Sequence, residues 1–357
     1  MAPRSSRAPR ARHLIPSAVL LWSAVILMSW GCVADGTASA ESQNIREDWV
    51  PTAVAEGNLR VVSFNIRNFP EMPVDPEAAP RPAPLSYQLR TDEEALLRVL
   101  LMLDFDVMGV QEIIDVALFE DVIARLSERS GRPYVAVLSE NANDNPQHVG
   151  VVVDSSKLHL VWTREHPEVD VRGTLRPGFS ARVESLQEDG VDFGLMVLHL
   201  ASGSSANRAI LRAEQAAVAA GIIAQQQTEL GDDDYLVLGD LNTARLGEEF
   251  PLMDESFAAG AGMDRLPNES GCSSYWIKKA TNPKLRVSWL DHVYLAAFDE
   301  LDDGVPVVSG AHCAERLCQQ FESTDLYSGS TFYNVSDHCP VYFEITDTDL
   351  DGDAVTP

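Results

Sequence analysis

Amides, acids and imidazoles recur in this chain where apolar runs stop. Asn65 ends "VVSFN", Glu112 ends "VMGVQE" and His199 sits near the end of "FGLMVLHL". Asp240 and Asn242 end "YLVLGDLN", Asp291 and His292 interrupt "SWLDHVYL", and Asp337 and His338 precede "CPVYFEI". One polar residue at a strand end is an ordinary turn residue. So many together are costly to desolvate unless they satisfy one another or a ligand. Carboxylate and amide oxygens suit a hard cation, Mg²⁺ first, with Mn²⁺ or Ca²⁺ as alternatives. Two His beside carboxylates suit proton transfer near neutral pH. Together these types point to hydrolysis of a phosphate ester by activated water. The His are too few, and the Cys wrongly spaced, for a structural zinc site.

The elements that carry these residues are legible as patterns. Val62, Phe64 and Ile66 alternate as a strand should. "VMGVQEI", "VGVVVD", "FGLMVLHL", "YLVLGDLN", "WLDHVYL" and "CPVYFEI" read as further strands. "TDEEALLRVLLML" opens with a capping box, Thr91 to Glu94, ahead of an apolar helical stripe. "ALFEDVIARLSERSG" is a second helix closed by Gly131, and a long helix runs through "ANRAILRAEQAAVAAGIIAQQQ". Residues 71–86 and 301–336 read as loops. Strands interleaved with helices predict a large mixed α/β domain with two core sheets and helices outside.

The chain has 357 residues, and 45 % are hydrophobic, enough for a sizeable core. Its net charge is −27, which repels free polyanions at long range. A polyanionic substrate would need a local basic patch or a bound cation. The Arg-rich start followed by apolar Leu14 to Gly31 has the order of an export signal. "MSWGC" resembles a lipobox with Cys32 as the lipidated residue, though Ser29 stands where Leu is usual. Soluble secretion and an uncleaved anchor are the alternatives; all place the body outside the cytoplasm, in the cell envelope or beyond. The expected organisation is signal peptide 1–31, linker 32–57, catalytic domain 58–346 and acidic tail 347–357. Cys272, Cys313, Cys318 and Cys339 can oxidise in such a compartment. Cys313 and Cys318, close in sequence, are the expected bridge, and Cys339 reads as a buried apolar filler.

"SFNIRNF", "GVQEI", "LHLASG", "LGDLNT", "WLDHV" and "SDHCPV" occur in the order seen in the endonuclease/exonuclease/phosphatase superfamily, and the chain resembles its deoxyribonuclease I-like members over residues 58–346. The resemblance implies a four-layer α/β/β/α sandwich of two mixed β-sheets with outer helices. It implies Glu112 as main metal ligand, with Asn65 and Asp337 beside the metal. Asp240 would orient or deprotonate the water, and Asn242 would hold a phosphoryl oxygen. Asp291 would support His338, the acid/base or phosphorus-stabilising group. His199 would be a proton donor to the leaving oxygen, and Arg67 and Arg176 would contact substrate phosphates. Blander roles compete: a turn for Asn65, a satisfied core imidazole for His199, surface ion pairs for both Arg. His292 falls on the opposite face of its strand and reads as structural.

The chain also departs from the deoxyribonuclease I pattern. The acid that orients the second His there is replaced by Asn145, Gln147 and His148 in "NDNPQHVGVVVD". Ile114 and Ala201 stand where cationic contacts occur in relatives. Pointing the other way, "YWIKKATNPKLR" sets aromatics among cations, which suits phosphates and stacked bases, or equally a solubilising hairpin. "DTDLDGD" has the spacing that starts a calcium loop but lacks its closing Glu, so it reads as an acidic tail. The resulting expectation is an exported, monomeric, metal-dependent phosphodiesterase, most simply a nuclease acting on DNA or RNA. Sphingomyelinase-like or inositol-phosphate phosphoesterase activity, and a non-catalytic binding module, are its rivals.

Overall fold

In the computed structural model, the described residues are 49–71, 90–140, 145–243, 249–279, 282–296, 298–301, 305–322 and 330–350. The proposed signal peptide, Cys32, most of the 71–86 loop and residues 351–357 lie outside them.

Strand β1 (Asn58–Phe69) shows how the fold is built. Val62, Phe64 and Ile66 enter a core shared with helices α1 (Glu93–Leu103) and α2 (Val116–Ser130). Leu59 and Val61 point the other way, into the layer between two sheets. Ser63 and Asn65 continue that second phase, because side chains alternate along a strand. One six-stranded sheet contains β1, β2 (Val107–Ile113), β3 (Tyr134–Leu138), β4 (His148–Asp154), β13 (Val308–Ser309) and β15 (Val341–Thr346), in the order β13-β15-β1-β2-β4-β3. The second contains β5 (Leu158–His166), β6 (Gly178–Ser185), β7 (Asp192–His199), β8 (Tyr235–Asp240), β9 (Asp264–Arg265) and β12 (Asp291–Ala296), in the order β5-β6-β7-β8-β12-β9. Helices α3 (Ala206–Leu230) and α4 (Phe250–Ala261) cover its outer face. The result is the expected α/β/β/α sandwich of two mixed sheets.

The sheets approach closely over Gly109, where a Cβ would meet Val197 Cγ2 at 3.0 Å and Leu238 Cδ1 at 3.1 Å. Along β7 and β8 the inter-sheet phase runs Phe193, Leu195, Val197 and Leu236, Leu238, then turns polar at His199 and Asp240. Gly239 makes that ending possible: its φ is +146°, and a Cβ would lie 1.9 Å from the Leu198 carbonyl oxygen.

Several local expectations shift. Helix α1 is capped by Asp92, which accepts from the Ala95 amide at 3.0 Å, rather than by Thr91. Thr91 is buried and its amide is bonded to Pro70. Trp49, inside the stretch read as linker, is buried against Tyr342 with ring centroids 6.1 Å apart. The tail begins packed: Asp347 is buried beside Gln187, and the Leu350 amide donates to Glu300 Oε1 at 2.9 Å.

The expected Cys313–Cys318 bridge is overturned, as is the filler role of Cys339. The bridges are Cys272–Cys318 and Cys313–Cys339. Helix α5 (Ala311–Glu315) and the turn after it present Cys313 and Cys318 together, with the Cys318 amide on the Cys313 carbonyl at 3.0 Å. Each sulfur faces a different chain segment. One bridge ties the 301–336 region to the segment ahead of β10 (Ser274–Lys279), which forms a small sheet with β11 (Asn282–Ser288) and β14 (Phe321–Glu322), and the other ties it to the segment ahead of β15.

Candidate active site

The polar strand ends meet at one end of the inter-sheet layer. Asn65 is fully buried, and its Nδ2 donates to Glu112 Oε1 and to Asp240 Oδ2, each at 3.0 Å. Its Oδ1 accepts from the Arg67 amide at 2.9 Å. Asn65 thus straps the first sheet to the second. β1 does not stop there: its register against β2 shifts between Asn65 and Phe69, with φ of 40° at Arg67 and 49° at Asn68. Glu112 has φ of 64° and Asn242 of 54°. Non-glycine residues rarely adopt this region, and here they gather where the chain turns its polar groups into a cleft.

His338 Nδ1 lies 2.8 Å from Asp291 Oδ2, so the pair fixes Nδ1–H as donor and leaves Nε2 facing Asp240 Oδ2 at 3.7 Å. His199 Nε2 lies 3.6 Å from Glu112 Oε1 and 3.4 Å from Asp240 Oδ2. Its Nδ1 is buried without a hydrogen-bond partner. Of the residues standing where the orienting acid was expected, Gln147 bonds Asn68 Oδ1 at 2.8 Å and His148 Nδ1 lies against the Ser139 carbonyl. Asn242 donates its amide N–H to Asp240 Oδ1 at 2.9 Å and its side chain to the Leu200 carbonyl at 3.1 Å. Asp337 stands at the rim, half-buried; its Oδ1 is buried and unpartnered.

Neither Arg is the surface ion-pair partner that was the blander alternative. Arg176 is buried, and its guanidinium donates to the His199 and Leu200 carbonyls at 3.1 and 2.5 Å. It braces the end of β7 rather than standing on the surface. Arg67 is also buried. His292 faces away from the cleft: its Nε2 lies 3.0 Å from the Thr243 carbonyl and its ring packs on Phe250 and Trp289. Burial pushes it down to about 3, as befits a structural imidazole.

The electrostatics divide the groups. Burial raises Glu112, opposed by the Asn65 bond and the His338 charge. Burial, with Asp291 and Glu112 nearby, raises Asp240 to about 7. His199 is held well below its ordinary range by burial, then by the charges of Arg176 and His338. Burial works against a charged His338, but the Asp291 and Asp240 carboxylates outweigh it and hold the imidazolium well above its ordinary range. The cleft therefore pairs a neutral imidazole with a charged one.

Glu112, His199 and Asp240 bring ligand atoms within 4.8 Å of one another, as do Asp240, Asp291 and His338. With the unpartnered Asp337 Oδ1, the donor set is rich in oxygen and in excess negative charge, which fits a hard divalent cation. Two supports escaped the sequence reading. Ser273 Oγ accepts from the Leu290 and Asp291 amides, both at 2.9 Å. Ser336 Oγ donates to the Asn65 carbonyl at 2.8 Å and accepts from the His338 amide at 3.1 Å. Only the place of Ser336, two residues before His338, gave any signal.

Beside Asn242 a cleft of about 290 Å³ is lined by Trp276, Ser204, Ser288 and Leu290. Trp276 is the half-exposed member of the aromatic-basic stretch; Tyr275 is buried, and the side chains of Lys278 and Lys279 lie outside the described residues.

No family model matches the chain. No curated protein is similar to it. Solved structures are. An endonuclease/exonuclease/phosphatase protein from Bacteroides vulgatus aligns at 14 % identity over 81 % of this chain and 99 % of its own, with a TM-score of 0.53. The human Nocturnin catalytic domain with bound sulfate aligns at 17 % identity over 82 % and 95 %, with a TM-score of 0.52. ANGEL2, a 2′,3′-cyclic phosphatase in complex with adenosine-2′,3′-vanadate, aligns at 12 % identity over 82 % and 96 %, with a TM-score of 0.52.

Proposed function

We propose that this chain, which has the endonuclease/exonuclease/phosphatase fold, is a divalent-metal-dependent phosphoric ester hydrolase acting on phosphodiesters, with nucleic acid as the favoured substrate. The observation that carries this reading is the His338–Asp291 pair facing Asp240, Asn65 and Glu112 in one cleft. The sulfate and adenosine-2′,3′-vanadate ligands of structures with this fold support it.

Glu112, with Asp337, would hold the cation, which supplies charge neutralisation at the phosphate and polarises its oxygens. Asp240, raised to about 7, is matched to accept a proton from water near neutral pH. Asn65 orients it from the first sheet. The charged His338, steadied by Asp291, stabilises negative charge growing on the phosphoryl oxygens. His199 is neutral, so it offers the leaving oxygen a hydrogen bond or a relayed proton rather than a standing positive charge. Asn242, at the cleft mouth, is placed to bond a phosphoryl oxygen.

The basic then apolar amino terminus supports export, with Cys32 as the lipidated residue, and two disulfides suit an oxidising compartment. We read the chain as a monomer. The net charge of −27 favours one rival, a smaller phosphate ester such as a lipid headgroup or inositol phosphate. An assay of the purified protein on plasmid DNA, RNA, single-stranded DNA, sphingomyelin vesicles and inositol phosphates, with Mg²⁺ or Mn²⁺, separates the two. Cleavage of no nucleic acid rejects the favoured substrate. Equal cleavage by His338→Ala rejects the site.

A further inference from the structure

The two segments that hold the His338–Asp291 pair are sutured to one short turn. Residues 337–339 lie antiparallel to 273–275: the Tyr275 amide donates to the Asp337 carbonyl at 2.9 Å, and the Cys339 amide to the Ser273 carbonyl at 2.8 Å. Ser273 in turn anchors the Asp291 amide. Cys272, next to Ser273, is bridged to Cys318; Cys339, next to His338, is bridged to Cys313. His312 closes the same knot. Its Nδ1 lies 3.0 Å from Thr331 Oγ1 and its Nε2 3.1 Å from Cys339 Sγ.

The bridges differ in access. Cys272, Cys313 and Cys339 are fully buried, whereas Cys318 is partly exposed. The sulfurs of Cys272, Cys313 and Cys318 lie within 4.8 Å of one another. A thiolate released at Cys272 therefore lies beside the buried bridge.

We propose that the Cys313–Cys339 bridge is a positioning element for His338 and that a dithiol reductant reaches it by relay through Cys272. The reductant's thiolate attacks Cys318 Sγ, the Cys272–Cys318 bond breaks, and Cys272 leaves as thiolate. The reductant's second thiol closes its own disulfide and frees Cys318 as a thiol. Cys272 then attacks Cys313 Sγ, and Cys339 leaves as thiolate and takes up a proton. One dithiol is oxidised, and the protein carries a Cys272–Cys313 bridge with two thiols, Cys318 and Cys339. The covalent tie beside His338 is then gone, and the imidazole is held by hydrogen bonds alone. Displacement of a reacting group by about 1 Å can slow a reaction about a hundredfold.

This inference rests on the proposed catalytic role of His338, so its test has readouts independent of turnover. The intact protein is titrated with dithiothreitol, quenched by alkylation and mapped by mass spectrometry. Ring NMR of ¹⁵N-labelled histidine follows the Asp291-bound Nδ1–H of His338. Hydrolysis of bis(p-nitrophenyl) phosphate with Mg²⁺ follows the chemistry. The expected sequence is alkylation of Cys318 and Cys339 first, a Cys272–Cys313 linkage, loss of the Nδ1–H signal, and a fall in kcat of about tenfold or more with KM little changed. Reoxidation restores all of them. In Cys272→Ser/Cys318→Ser, the Cys313–Cys339 bridge resists the reductant. Paired alkylation of Cys313 with Cys339 without the Cys272–Cys313 linkage overturns the relay. An unchanged His338 signal after the bridge opens overturns the positioning role. If no phosphodiester is cleaved at all, the proposed function fails, while the alkylation map still decides the relay and the ring signal the positioning of His338.

Discussion

Strand β2 has a buried acid at each end, and the two ends are built by opposite rules. Asp106, just before the strand, is fully buried; it accepts from the Arg60 amide at 2.7 Å and pairs with Arg132 and, at 2.9 Å, with Lys157. Asp154 beside it pairs with the same Arg132 at 2.7 Å. Each carboxylate there has a cation in contact. At the far end, Glu112 shares its cleft with Asp240, Asp291 and Asp337; the His338 imidazolium is bonded to Asp291, and the Arg176 guanidinium acts on Glu112 from a bond to backbone carbonyls. Buried atoms of Asp291, Asp337 and His199 lack hydrogen-bond partners, and the backbone holds positive φ at Arg67, Asn68, Glu112 and Asn242. The first cluster is complete without a ligand. The second leaves buried polar atoms of Asp291, Asp337 and His199 without hydrogen-bond partners, as a ligand site would.

This contrast can be broken at several points. The largest effect is expected at the cleft: His338→Ala lowers kcat by about a hundred- to ten-thousandfold while the melting temperature stays close to wild type. Steady-state hydrolysis alongside thermal melting measures both. The reverse is expected at the other end. Asp106→Ala leaves the buried Arg60 amide without its acceptor and takes one partner from Arg132 and from Lys157, which lowers stability by about 3 kcal/mol, with kcat per folded molecule unchanged. In metal-free protein, Glu112→Gln should instead raise the melting temperature, since it removes one of several crowded acids. If both substitutions destabilise alike, the two ends do not differ as described.

A smaller effect is expected from the ligand itself. Mg²⁺ at a hundred times its dissociation constant should stabilise wild type by about 2.7 kcal/mol, and Glu112→Ala should lose this shift. Denaturant melts with and without Mg²⁺ test it. Per unit of pH, the smallest effect is at His292. His292 is held to about 3 when folded, against about 6.5 unfolded. The unfolded chain therefore binds the extra proton between these values. The stability His292 contributes is complete above about 6.5 and lost as pH falls toward 3, at about 1.4 kcal/mol per pH unit. The difference between wild type and His292→Gln across that window isolates it, because the raised acids of the cleft shift stability in the opposite direction. A constant difference would contradict the assignment.

The contrast also explains what could be read in the sequence. Strand phase is local, so Asn65, Glu112, His199, Asp240, Asp291 and His338 could be located as polar endings of apolar runs. The placing of His292 on the other face follows from the same alternation. Gly131 closed α2 as its position suggested. What could not be read depends on contacts between distant segments. Cys313 and Cys318 are near in sequence, but their turn presents them to Cys339 and Cys272. Ser273 contacts Asp291 only because the arm folds back. Arg176 was legible as a cation for a phosphate or a surface pair, but its bonds to the carbonyls of His199 and Leu200 join segments more than twenty residues apart. The positive φ at Glu112 and Asn242 had no glycine to announce it.

The central claim is that the acid-rich end of the inter-sheet layer hydrolyses phosphodiesters with a divalent cation. The most direct test is cleavage of plasmid DNA by purified wild type and His338→Ala, with Mn²⁺ or with chelator. The account predicts cleavage by wild type with Mn²⁺, none detectable with chelator, and a rate lower by about a hundredfold or more in the variant. Cleavage that survives the chelator, or equal rates for the two proteins, would contradict it.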